Sequence, residues 1–351
     1  MGLVTDTLNS FGLNRVGVRD VLFLTGAGIS APEPTRFFLG RDLHRIVLEN
    51  FTNLTVPEID NVLTKVPFER SCECIDQAFR RHKLSAFVGV FWNLMSELFL
   101  WRPQNLWKQP NQLHSYFREH IHQGGSHITA NLDQFIELDA LFHFVRTTKI
   151  FDDDTPLRDE EGILYKFHGD FTKDAEGEQG FVFSAIENGF SNTVQGCWDA
   201  LLNRTRVVVV CGYSGSDIYD VTPYFRSKPN AHFNSCIIWV KHGGPPMRRL
   251  TGAGSPDPDM ILSKFRERAV LAGRAGDVLN ELLPALPRVT YPLKHRLIAF
   301  LVRLHLIGSV RAGYTQTFKN SVESYRREYA DFDAFKRMAG AEVLAVLATI
   351  P

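Results

Sequence analysis

The sequence predicts an α/β fold, a Rossmann-like parallel sheet with helices on both faces, and three features of the 351 residues carry that expectation. Short runs that are apolar throughout and rich in β-branched residues recur along the chain, as strands do when both faces of a parallel sheet are covered. Longer stretches with helical spacing separate them. Glycine and polar residues collect just after each run, where an open α/β sheet builds its ligand crevice.

The first run, residues 21–24, leads directly into Gly26-Ala27-Gly28-Ile29-Ser30. About a hundred residues follow before the next run, too many for a plain crossover. Helical spacing over 36–50, 57–66, 69–82, 85–100 and 111–122 predicts a helical insertion lobe over about residues 36–123 beside the crevice. Trp92, Trp101 and Trp107 fall within it, and packing explains them better than ligand stacking. Run 126–130 ends at Asn131, run 163–167 at His168, run 207–210 at Gly212 and run 236–240 at Lys241. Residues 243–258, rich in Gly and Pro, read as an exposed loop without structure of its own. Residues 278–286 read as a helix introduced by Gly276-Asp277. Beyond Pro287 the pattern changes: Leu297, Leu301 and Leu304 share a helical face, and 343–347 is a further apolar helical stretch. The expected organisation is a catalytic domain over residues 1–286 and a helical C-terminal appendage over 287–351 that serves packing or assembly.

Composition narrows the function classes. Basic and acidic residues balance at 39 each, so no global field steers the chain to nucleic acid or an anionic membrane. Five sparse cysteines make neither a disulfide framework nor a structural zinc site and are expected as reduced, mostly buried thiols. The start of the chain has no basic region followed by an apolar run, and residues 297–307 are interrupted by Arg303 and His305. The expected compartment is the cytoplasm.

Five short motifs carry the chemistry. Glycines in the Gly26–Ser30 loop let the backbone turn sharply and approach a pyrophosphate, although such a turn is equally a structural device. Thr129-Ala130-Asn131-Leu132-Asp133 offers an Asn for a ribose hydroxyl or a water, and an Asp that either meets a ligand or caps the next helix. Lys166-Phe167-His168-Gly169-Asp170 sets an imidazole at a strand end, placed to take a proton from a hydroxyl or water. Cys211-Gly212-Tyr213-Ser214-Gly215-Ser216-Asp217 suits a second phosphate or ribose contact, with Ser216 or Asp217 as alternative helix caps. In Ala275-Gly276-Asp277-Val278, backbone N–H groups at a helix start are suited to meet an adenine edge.

The order Gly-Ala-Gly-Ile-Ser, Thr-x-Asn-x-Asp, Phe-His-Gly, Gly-x-Ser and Gly-Asp-Val resembles the sirtuin superfamily over roughly residues 20–286. The resemblance implies NAD as substrate, with Gly26, Ala27, Gly28, Ser30, Gly212 and Ser214 around its phosphates and riboses. It puts Asn131, with Asp133, at the nicotinamide ribose, makes His168 the catalytic base, and brackets the adenosine with Lys241, Gly276, Asp277 and Val278. Three departures stand out. Residues 170–207 contain only Cys197, not the four-cysteine zinc module of the deacetylases. Ala31-Pro32-Glu33-Pro34-Thr35-Arg36-Phe37 replaces their Gly-Ile-Pro-Asp-Phe-Arg segment. Lys241 stands where an Asn commonly meets the adenine ribose.

The pattern without zinc is similar to the sirtuin-like NAD-hydrolysing domains of prokaryotic antiphage systems, which cleave the nicotinamide–ribose bond with water. That resemblance implies an NAD glycohydrolase without a metal, acting as a regulated effector, with a homo-oligomer and an activating partner or further domains. Two other readings stay open. One is an NAD-dependent protein deacylase or ADP-ribosyltransferase, disfavoured by the missing zinc module. The other is a non-catalytic module that senses NAD or ADP-ribose, disfavoured because phosphate binding needs neither Asn131 nor His168.

Overall fold

Apolar runs this short gain stability only when both of their faces are covered. In the computed structural model, Val21–Thr25 (β1), Ser126–Thr129 (β2), Ile163–Lys166 (β4) and Val207–Cys211 (β7) are buried at every residue. The structure describes residues 2–32, 39–81, 110–131, 133, 135–136, 148–150, 162–173, 179–181, 190, 192–215, 217, 220–284, 286 and 332–350. The expected helix over 85–100, the three tryptophans of the insertion, most of the Ala31–Phe37 segment, Ser216 and the Leu297–Leu304 face lie outside them.

With Thr148–Ile150 (β3), Cys236–His242 (β8), Arg248–Leu250 (β9) and Arg268–Gly273 (β10), these strands form one sheet in the order β3-β4-β2-β1-β7-β8-β10-β9. Every pairing is parallel except that of β9 with β10. A separate antiparallel pair, Gly169–Lys173 (β5) and Gln179–Phe181 (β6), follows β4.

Alternation along each strand divides the core into two layers. Leu22, Leu24, Val208, Val210, Ile237 and Trp239 face one side. There they meet Asn192–Arg204 (α6), Val221–Ser227 (α7) and Pro256–Leu262 (α8) through Trp198, Phe225 and Ile261. Val21, Phe23, Val207, Val209, Ile238 and Val240 face the other. Leu3–Ser10 (α1), Gln112–His122 (α5) and Ala275–Leu282 (α9) cover that side through Val4, Phe117 and Val278. The Rossmann-like α/β class is thereby shown.

One expectation about local structure is corrected. Residues 243–258 are not without structure: they contain β9 and the start of α8, because Asp259 Oδ1 accepts the Ala253 N–H at 2.7 Å and pins the Gly-rich stretch. The Gly26 loop opens a three-residue 3-10 turn, Ala27–Ile29.

The chain divides into two compact units, one of Met1–Phe37 with Gln109–Tyr291 and one of Phe38–Lys108 with Pro292–Pro351. The sheet belongs to the first, as does α5. In the second, Gly40–Phe51 (α2), Val56–Lys65 (α3), Phe68–Arg81 (α4) and Phe332–Thr349 (α10) share a core of Leu48, Ile59, Val62, Cys74 and Val343. Thr55 and Glu58 close a capping box at the start of α3, with Glu58 Oε2 accepting the Thr55 N–H at 2.8 Å. Among the described residues no helix is long and apolar enough to cross a membrane.

Candidate functional site

The chain reverses its direction of growth across the sheet between β1 and β7, the place where an open α/β sheet leaves a crevice. The loops after these two strands touch. Gly28 donates its N–H to Gly212 O at 2.8 Å. A Cβ on Gly28 would lie 2.7 Å from Gly212 Cα, and one on Gly26 would lie 2.9 Å from Gly212 O. Gly212 has φ +65°, in the left-handed region. The glycines of the first loop are thus demanded by the second loop, whatever ligand lies above them.

Beside this contact, four elements converge on Asn131. The Asn111 side chain caps α5, accepting the N–H groups of Leu113 and His114. The Asn111 N–H donates to His114 Nδ1 at 3.0 Å, which leaves the ring proton on Nε2. That N–H reaches Ser30 Oγ at 3.0 Å, and Ser30 Oγ donates to Asp133 Oδ2 at 2.8 Å. Asn131 Nδ2 donates to the same carboxylate oxygen at 3.0 Å and to Ser30 Oγ at 3.3 Å. From below, Thr129 Oγ1 accepts the Asn131 N–H at 3.1 Å and the Thr25 hydroxyl at 3.0 Å, and Thr25 is bonded in turn to His127 Nε2. Lys166, buried at the end of β4, donates to Asp133 O at 2.6 Å.

The amide of Asn131 is therefore held by its nitrogen. Its Oδ1 takes no hydrogen bond among the described residues and is not sealed from solvent. It is an oriented acceptor, the group needed to hold a water or hydroxyl by its proton.

His168 stands at the turn after β4, between two carboxylates. Its Nε2 lies 3.3 Å from Asp217 Oδ2 and its Nδ1 3.6 Å from Asp220 Oδ2. All three residues are buried. Phe167, packed on Phe190 and Trp198, anchors the turn in the core. Asp217 is not the cap of α7, whose N-cap is Asp220; its Oδ1 accepts the Asp220 N–H at 3.0 Å and its carbonyl accepts the Thr222 N–H, which shapes the turn ahead of the helix.

The remaining expected residues are spread along the same sheet edge. Ser30 is fully buried and its hydroxyl is occupied in holding Asn131 and Asp133, so it supports the site from within. Asp133 does double duty, because its Oδ1 also accepts the Phe135 N–H. Ala27 opens the 3-10 turn after Gly26, and Ser214 is exposed beyond Gly212. Lys241, in β8, donates to Ala253 O. Gly276 and Asp277 lie in the first turn of α9, which follows β10, with Asp277 exposed. The Val278 side chain points into the core, and its N–H, like that of Asp277, donates to Arg274 O.

Sequence reasoning missed His114, Lys166 and Asp220. His114 sits three residues after a helix-capping Asn, and that Asn-x-x-His spacing was the one signal available. The other two act across separations of 33 and 52 residues that no local pattern exposes.

The five cysteines are free. Burial pushes the Cys211 thiol up to about 12 and Cys74 to about 11, and raises Cys72 and Cys236, so none of these four is primed as a nucleophile. Fold and site together define an α/β protein with buried polar residues gathered at the carboxyl ends of its parallel strands. Comparison with protein-family models and with curated proteins returns no match.

Proposed function

We propose that the chain is an NAD glycohydrolase, cleaving the nicotinamide–ribose bond with water to give nicotinamide and ADP-ribose. The observation that carries the reading is the held amide of Asn131, whose Oδ1 remains an acceptor beside the glycine contact of the β1 and β7 loops. A structural Asn would spend both ends of its amide. This one spends its nitrogen and keeps its oxygen.

In the proposed reaction the pyrophosphate lies over the loops after β1 and β7, and its binding energy holds the ribose in place. Asn131 Oδ1 accepts a proton of the attacking water and orients its oxygen toward the anomeric carbon. As the C–N bond breaks, its electron pair returns to the pyridinium nitrogen and nicotinamide leaves neutral, past an oxocarbenium-like ribose. The new C–O bond forms, and His168 takes the water's proton before releasing it to solvent. Asp133 positions Asn131 and touches no reacting atom. Gly276, Asp277 and Lys241 lie toward the adenosine end.

An enzyme that consumes NAD in the cytoplasm needs restraint, so the reading includes a regulated effector of antiphage defence. Oligomer and activator contacts are assigned to the helical insertion and the C-terminal appendage. The test is incubation of purified protein with NAD, with and without an acetylated peptide, following nicotinamide and ADP-ribose. Nicotinamide release independent of peptide is expected. Release only with peptide would transfer the assignment to deacylation, and binding without turnover after candidate activators have been tried would transfer it to sensing.

A further inference from the structure

The outward oxygen of Asn131 depends on a hydroxyl that can face either way. A side-chain amide exchanges its nitrogen and oxygen by a half-turn, so Oδ1 stays outward only while the groups at the other end accept. Two groups do so, Asp133 Oδ2 at 3.0 Å and Ser30 Oγ at 3.3 Å. An ionised carboxylate only accepts, but a serine hydroxyl is donor and acceptor both. Turned toward Asn131, the Ser30 proton would draw Oδ1 inward.

His114 sets the direction of that hydroxyl. In the first turn of α5 it completes a capping box with Asn111, whose N–H reaches Nδ1 at 3.0 Å. A backbone N–H only donates, so Nδ1 is the bare nitrogen and Nε2 bears the proton. Nε2 lies 3.0 Å from Ser30 Oγ and takes up one lone pair of the hydroxyl. Ser30 sends its own proton to the charged Asp133 Oδ2 at 2.8 Å, and its second lone pair receives Asn131 Nδ2. One donor and two lone pairs are then all committed. The ring itself is held in place. It is fully buried, its centroid lies 5.3 Å from that of Phe135, and Asn111 Nδ2 ties the start of α5 to Ile29 O at 2.8 Å, next to Ser30.

We propose that His114 is a positioning residue: acting through Ser30, it sets the polarity of the hydrogen bonds that hold the Asn131 amide with its oxygen outward. His114 touches no reacting atom. The effect on catalysis rests on the hydrolytic reading, and the polarity of the chain of hydrogen bonds rests on the geometry alone. Without the donor on Nε2, the Ser30 hydroxyl is at liberty to turn, and the acceptor that orients the attacking water is no longer fixed.

His114→Gln keeps both ends of the arrangement, because a Gln at this position of a capping box accepts the Asn111 N–H through Oε1 and has Nε2 left to donate to Ser30. His114→Leu removes both. In NAD cleavage, kcat is expected to fall at least about tenfold in His114→Leu with KM changed less than about twofold, and to stay within about threefold of the wild type in His114→Gln. Ser30→Ala should lower kcat as His114→Leu does, and adding His114→Leu to it should remove nothing more, a cycle that a merely structural His114 would not close. Ser30→Ala also leaves the capping box intact, so it answers alone if His114→Leu does not fold. A wild-type kcat in His114→Leu or Ser30→Ala, or a His114→Gln as slow as His114→Leu, would overturn the proposal. A further readout needs no turnover. In 15N NMR, the imidazole of His114, assigned by the loss of its signals in His114→Gln, should carry its proton on Nε2 and leave Nδ1 bare. A ring protonated on Nδ1 would overturn the proposal as well. No NAD cleavage by the wild type after candidate activators have been tried would instead sink the hydrolytic reading, while the tautomer would still decide the polarity.

Discussion

At the scale of single residues, glycine is the clearest case of a signal with two meanings. Gly26 and Gly28 suggest a phosphate loop from sequence, and their small size is also imposed by the backbone of Gly212. Gly28→Ala puts a methyl group 2.7 Å from Gly212 Cα, where backbone stands on both sides and nothing flexible can give way. The expected cost is about 1–3 kcal/mol of stability, measured by chemical denaturation of the sheet-containing unit. A variant as stable as the wild type would show that the two loops are not locked together. Asn131 and His168 were legible as positions, because each directly follows a strand. What holds them was not legible. Ser30 reaches Asp133 across 103 residues, and His168 reaches Asp217 across 49.

At the scale of elements, the buried strands were legible because their apolar runs are continuous. β1, β2, β4, β7 and β8 begin where the sequence put them and end within two residues of it. β10 was missed: its Arg-Ala-Val-Leu-Ala-Gly run is short on bulk, and only its place between β8 and β9 makes it a strand. Packing of α5 against β1 and β2 buries two histidines. His120 lies 4.6 Å from the Phe23 ring, and its Nε2 bonds Val18 O at 2.9 Å. Burial lowers it to about 4 and holds His127 well below its usual value. The unfolded chain therefore takes up these protons first as pH falls. Stability is expected to be full above about pH 6.5 and to decline toward pH 4, by about 3 kcal/mol from His120 alone. Urea midpoints across that window measure it, and a level profile would mean that the two rings are hydrated.

At the scale of the whole molecule, the organisation is discontinuous in sequence. Each compact unit is assembled from two separated stretches of chain, and α10 returns from near the C-terminus to complete the core made by α2, α3 and α4. Sequence patterns identified helices on both sides of the sheet-forming region, but nothing local shows that residues 38–108 and 292–351 share a core. Truncation after residue 331 should cost more helical signal in circular dichroism than the 18 residues of α10 supply, because Val343 leaves the centre of that core. Loss of those residues' own signal and no more would show that the three remaining helices stand without it. The function assigned to the whole rests on one chemical event, and its most direct measurement is product formation from NAD by the purified chain. Nicotinamide and ADP-ribose are expected in equal amounts, formed at least about a hundredfold more slowly in both His168→Ala and Asn131→Ala. NAD that binds and stays whole after candidate activators have been tried, or cleavage indifferent to both substitutions, would overturn the assignment.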